Sequence, residues 1–215
     1  MTIKGEMKNI QKALLTGVSY MMPVVVAGGI LLAISLVTGK ATSEGYKVTN
    51  QFMLNLNLLG KSALAMMVPI LGAYIAYSIA GRPGLTPGFV LGYVANNVVG
   101  TTGAKTGFLG ALLLGLAAGY FVKWIKSWKV PAFVKSIMPI LVIPILSTAV
   151  IGLLYIYVIA VPLTSLLNIL LGFLTDLNGT NIVLLAIVIG FMVSFDMGGP
   201  VTKTVTMFTI ALMSE

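Results

Sequence analysis

Apolar residues in this chain gather into long runs, and charged residues fall almost only where those runs break. The stretch between Lys12 and Lys40 carries no charge. It exceeds the roughly 20 apolar residues a bilayer core asks of a helix. Pro23 and Gly28-Gly29 lie inside it, which predicts a kinked span. A cleaved leader would have a shorter apolar core and a small-residue cleavage site, so the span is read as uncleaved. Ahead of it, Ile3, Met7, Ile10 and Leu14 recur at helical spacing beside a stripe of Lys4, Lys8 and Lys12. That pattern predicts an amphipathic interfacial helix over 1–12, with a disordered basic tail as the competing reading. Residues 40–51 read as a polar loop.

A second run lies between Lys61 and Arg82, with Pro69 near its middle. The segment Gly81-Arg82-Pro83-Gly84-Leu85-Thr86-Pro87-Gly88 predicts a turn-rich connector. Phe89 to Val99 is short and contains Asn96-Asn97, so it is either a broken span or a re-entrant segment. The run from Thr106 to Val122 carries small residues in register with Gly103, namely Gly107, Ala111, Gly115 and Gly119. Such a row lets another helix approach closely in lipid, within one chain or between subunits. After the basic loop 123–135, Ser136 to Thr175 is uncharged and contains Pro139, Pro144 and Pro162, which predicts one long kinked span plus a shorter interfacial helix. Asp176 to Thr180 reads as a turn, and Asn181 to Phe195 is again apolar. The fold class is all-α: one polytopic transmembrane domain over 1–215, with about six to seven membrane segments, some kinked or discontinuous.

Composition narrows the chemistry. Only 8% of residues are charged, against about 25% in soluble domains. The runs are continuous rather than alternating, which excludes a transmembrane β-barrel. The net charge of +8 does not point to nucleic acid, because the basic residues cluster beside apolar runs as cytoplasmic loops do. Placing Lys4, Lys8 and Lys12 on the same side as Lys123, Lys126, Lys129 and Lys135 needs an even number of crossings between them. This puts the N-terminus and Arg82 in the cytoplasm and Lys105 outside, provided that Phe89–Val99 crosses. Cysteine and histidine are both absent, which removes disulfides, thiolate nucleophiles, imidazole bases and the usual metal ligands. No cofactor or metal is expected, and a self-sufficient hydrolase is disfavoured.

One acidic interruption stands out, Ser194-Phe195-Asp196-Met197-Gly198-Gly199-Pro200-Val201-Thr202-Lys203. An acid at the centre of a membrane helix costs about 2.5–3.5 kcal/mol on insertion scales, so such residues face a cavity or a partner. Irregular backbone at that depth persists only where it is buried in protein or lines water. Together these features point to a polar ligand within the membrane.

At these residues the chain resembles a known family. Thr16 to Pro23 followed by Val26-Ala27-Gly28-Gly29 resembles the opening of the membrane-embedded IIC component of fructose-type sugar phosphotransferase systems. Arg82 to Gly88, Gly107-Phe108-Leu109-Gly110 with Ala118-Gly119-Tyr120, and Pro139 to Pro144 follow in family order. Asp196 to Val201 resembles the family's Asp-Met-Gly-Gly-Pro-Val-Asn-Lys block, with Thr202 in place of its Asn. The family continues to a Ser/Thr-Glu-Gly-Ala-Ile-Pro-Phe hairpin that this sequence lacks, so the resemblance is to the N-terminal portion of that domain.

The resemblance implies a permease subunit of a bacterial inner membrane that carries fructose or a related hexose. A IIB partner bearing a phosphocysteine, supplied by IIA, would phosphorylate the sugar. It also implies a homodimer and no nucleic-acid partner. A truncated, non-transporting partner or regulatory subunit and an ion-coupled secondary transporter are the competing readings. Asp196 is the first candidate for sugar contact, because a carboxylate accepts several hydroxyl hydrogen bonds. A salt bridge to Lys203 or a capping role is its alternative. Thr202 and Lys203 are further candidates, and the backbone of Gly198 and Gly199 offers donors in a discontinuous hairpin. Asn96 and Asn97 either present amides to the ligand or end a helix. Arg82 anchors a cytoplasmic turn, and Trp124 and Trp128 form an aromatic belt.

Overall fold

Small residues, not large ones, decide where the helices of this chain meet. The computed structural model describes residues 3–37, 39–42, 45–97, 106–163, 165, 169 and 182–196. Its elements are α1 (Ile3–Leu36), β1 (Lys40–Thr42), β2 (Gly45–Lys47), α2 (Gln51–Ala80), α3 (Arg82–Asn96), α4 (Gly107–Lys126), α5 (Ala132–Ile137), α6 (Ile143–Leu154) and α7 (Ile182–Asp196). Among the described residues four helical stretches are long and apolar enough to cross a membrane, Gly5–Leu36, Gln51–Ala80, Gly107–Lys126 and Lys135–Leu163.

Residues 3–12 are not a separate element, because α1 starts at Ile3 and runs through Lys12 to Leu36 with Pro23 inside it. The loop after α1 contains a short antiparallel hairpin in which Lys40 pairs with Lys47 and Thr42 with Gly45. Asn50 then caps α2, its side-chain oxygen accepting from Phe52 N at 2.9 Å. This satisfies one of the unpaired amides at the helix start.

The expected connector over 81–88 contracts to one residue. Gly81 alone turns the chain, at φ 75°, and α3 begins at Arg82. Pro83 sits in the first helical turn, where its missing N–H is not needed. Gly84 and Gly88 serve packing instead of turning. A Cβ on Gly88 would come within 2.5 Å of the Gly72 carbonyl oxygen, and one on Gly84 within 2.7 Å of the Ala76 oxygen. A Cβ on Gly115 of α4 would lie 3.0 Å from the same Gly72 oxygen. The row in α4 foreseen from the sequence is therefore an internal packing face, and Gly72 is where three helices converge. Gly28 and Gly60 bring α1 against α2 in the same manner.

Proline reshapes the last long helical stretch. A π-turn over Met138–Val142 precedes α6, and Ile143 N–H bonds to Met138 O, five residues back. Pro139 and Pro144 each withdraw a donor here, so the usual ladder cannot form. A second π-turn, Tyr155–Ile159, follows α6. Met138 and Ile143 pack with Ala80, Val122 and Ile125, while Ile151 and Tyr155 join the cluster around Leu91, Ala95 and Leu114. Outside this core lie large exposed apolar side chains such as Leu15, Val26 and Ile30 on α1, and Ile140, Ile145 and Tyr157 around α6.

Candidate functional site

Helix α3 is too short to cross a bilayer. Its 15 residues rise about 22 Å, against a hydrocarbon core of about 30 Å. It stops alongside the middle of α2, where Asn96 Nδ2 donates to the carbonyl of Ala65 at 3.4 Å. Asn97 Nδ2 donates to Tyr93 O at 2.8 Å. Both amides are thus directed at backbone oxygens, as expected of residues that end a helix.

Helix α4 starts at the same level. Thr106 N–H donates to Ala95 O at 3.2 Å, so the end of α3 and the start of α4 are tied together. Thr106 Oγ1 and Tyr155 Oη share a 2.5 Å hydrogen bond, and both residues are 1% exposed. Ser147 of α6 is also fully buried, and its Oγ has no hydrogen-bond partner among the described residues. Polar groups from α3, α4 and the π-turn after α6 therefore collect where two helix ends stop inside the bundle. The sequence reading missed Thr106, Tyr155 and Ser147. Its available signal was a tyrosine hydroxyl deep in an uncharged run, which needs a partner once buried.

Of the residues singled out in advance, Asn96 and Asn97 lie together at this end. Asp196 is the last residue of α7. Gly198, Gly199, Thr202 and Lys203 lie outside the described residues. Among the described residues no group of His, Cys, Asp or Glu has the make-up of a metal site.

Basic residues gather at the opposite end. Tyr120 Oη donates to Glu6 Oε2 at 3.1 Å, and Lys126 Nζ donates to Ala80 O at 2.9 Å. These bonds put the start of α1 and the ends of α2 and α4 side by side. The two lysine clusters flanking the apolar runs consequently share one end of the bundle, although α3, on whose crossing the even count of passes depended, is too short to cross.

The model of the phosphotransferase system EIIC family matches residues 15–215. The chain belongs to this EIIC family. Its relatives include the fructose-specific EIIC component of Haloferax volcanii, 37% identical over 99% of this chain and 61% of the relative. The fructose-like permease IIC component 2 of Escherichia coli K12 is 37% identical over 97% of this chain and 56% of its own length. The fructose-specific EIIB'BC component of Vibrio cholerae is 42% identical over 98% of this chain and 35% of its own. The chain thus spans 61% or less of the length of these relatives. No solved structure matches it. Family and apolar helices together make this a multi-pass membrane protein.

Proposed function

We propose that this EIIC chain is the sugar-translocating part of a phosphoenolpyruvate-dependent phosphotransferase permease, taking up fructose or a related hexose for phosphorylation by a IIB partner. The observation that carries the reading is the family match over residues 15–215, which includes the Asp196–Lys203 block. The fructose-specific names of the relatives support the substrate class, and the EIIB'BC relatives join B and C components in one chain.

In this reading Asp196 accepts hydrogen bonds from sugar hydroxyls, and the backbone of Gly198 and Gly199 with Thr202 and Lys203 completes the grip. Asn96 and Asn97 contribute acceptor oxygens, since their amide nitrogens already serve the backbone. Helix ends that stop inside the membrane are a recurring way to build midplane sites. A neutral sugar suits such a carboxylate. A phosphate monoester carries about −1.5 to −2 at neutral pH, so the product is repelled by the group that held the substrate. Phosphorylation would then both release and trap the sugar.

The basic end faces the cytoplasm in this arrangement. Lys4, Lys8, Lys12, Arg82, Lys123, Lys126, Lys129 and Lys135 stand there, with Glu6 as the one acid at that end among the described residues. The 34 residues of α1 rise about 51 Å, so its N-terminal turns lie at the interface beyond the hydrocarbon. The reading includes six to seven membrane segments in all, some kinked, and the IIC resemblance implies a homodimer.

The test is uptake of radiolabelled fructose by cells lacking their own fructose permease and producing this protein with IIA and IIB. Uptake should require phosphoenolpyruvate-derived phosphoryl groups and survive collapse of ion gradients by ionophores. Uptake that ignores the phosphoryl donor but stops with the ionophore would replace this reading with an ion-coupled transporter.

A further inference from the structure

At the basic end, α1, α2 and α4 enclose a cleft of about 200 Å³ lined by Asn9, Lys12, Ser78, Ile79, Tyr120 and Lys123. Five of these six side chains carry polar groups, and two carry a full positive charge. Neither lysine forms an ion pair within the described residues; Lys123 Nζ stands 5.8 Å from the centroid of the Tyr120 ring. The one nearby carboxylate, Glu6, accepts a hydrogen bond from Tyr120 at 3.1 Å. It offsets only part of the charge. Lys126, by contrast, is occupied by the carbonyl of Ala80. A polar hollow with two unpaired ammonium groups is chemically matched to a phosphate or a similar anion.

A second feature decides the source of that anion. Lys12 also lines a larger, open furrow of about 530 Å³ along α1 beside α2, running from Lys8 and Gln11 through Leu15, Thr16 and Ser19 to Tyr20, whose ring stacks on Tyr74 of α2. From Lys8 to Tyr20 the helix rises about 18 Å, which takes the furrow from the charged end into the apolar span. Leu15 is 60% exposed and Tyr20 51% exposed along it. A free phosphate gains nothing from the exposed Leu15 and Tyr20 surfaces below its binding cleft; a phospholipid does. We propose that Lys12 and Lys123 bind the phosphate of an anionic phospholipid, whose acyl chains lie along the α1 furrow. Basic hollows between membrane helices at the cytoplasmic side are suited to such headgroups. The bound lipid would bridge α1 to α4, which are otherwise joined at this end by the Tyr120–Glu6 hydrogen bond.

The test is native mass spectrometry of the purified protein equilibrated with mixed micelles of phosphatidylglycerol and phosphatidylcholine. The wild type should retain phosphatidylglycerol preferentially. K12Q and K123Q should each cut that preference by about fivefold. K129Q and K135Q remove the same charge from the same end outside the cleft, and they should leave the preference in place. Equal retention of both lipids by the wild type would overturn the proposal, and this arm needs no variant to fold. Equal losses in all four variants would also overturn it, by showing diffuse attraction without a site. Displacement of the lipid by inorganic phosphate alone at comparable concentration would assign the cleft to a free anion and overturn the lipid reading.

Discussion

Helices α2 and α1 are similar in length and hydropathy, yet they are used in opposite ways. Half of the apolar window of α2 is buried, against 17% of that of α1. The difference lies in side-chain size. Toward α3 and α4, α2 presents Gly72, Ala73 and Ala76, and the opposing residues are Gly84, Gly88, Gly92, Gly115 and Gly119. Much of the outer face of α1 is Leu15, Val26, Ile30 and Ile34, all exposed. In lipid the hydrophobic effect does not drive helices together, so contact follows from close backbone approach. Close helix approach in this protein therefore tracks smallness: large side chains such as Leu71, Ile75, Leu91 and Leu114 fill the core around the glycine contacts, while those on the outer side of α1 face outward.

That contrast is open to direct attack. The largest effect is expected at the convergence point: Gly88→Ala places a methyl against the Gly72 carbonyl oxygen and the Ala73 backbone. Neither backbone can yield, so a loss of about 3 kcal/mol is expected, read as a lowered midpoint in detergent thermal unfolding. Next comes Tyr155→Phe, which leaves the buried Thr106 hydroxyl without its partner. Hydrogen bonds between membrane helices contribute about 0.6–1.7 kcal/mol, and a Tyr155→Phe/Thr106→Val double-mutant cycle should return a coupling in that range. Ser147→Ala removes a buried hydroxyl without a hydrogen-bond partner among the described residues and should stabilise the fold by about 1 kcal/mol. The smallest change is expected at Gly29, where a Cβ meets nothing within 4 Å. Gly29→Ala should raise stability by about 0.5 kcal/mol through lowered backbone entropy. Equal destabilisation by Gly29→Ala and Gly88→Ala would abolish the distinction between the two helices.

The all-helical membrane class was legible from run lengths and missing charge; both lysine clusters do lie at one end, but not through the crossing of Phe89–Val99 that the count of passes required. The segment 81–88 was misread because glycine and proline were taken as turn formers. The correction was present in the sequence: Gly84, Gly88 and Gly92 repeat at the same four-residue spacing that exposed the packing face of α4. The Thr106–Tyr155 pair was not legible, because its members stand 49 positions apart and meet only when α6 folds back beside α4. For Asn96 and Asn97 the sequence leaves ligand contact and helix end open; both stand at the end of α3 with amide nitrogens on backbone oxygens, and their side-chain oxygens are not used by those bonds. The lysines of the cleft were read as topology signals alone, since charge counting carries no information on what three helices enclose.

The central functional claim concerns Asp196, and calorimetric titration of purified protein with fructose tests it most directly. A carboxylate that accepts sugar hydroxyls contributes charge-assisted hydrogen bonds of about 1.5–3 kcal/mol, so Asp196→Asn should weaken binding by at least about tenfold. The unfolding midpoint of the variant should stay near that of the wild type. Fructose affinity unchanged in a folded Asp196→Asn protein would remove this residue from the site and contradict the account.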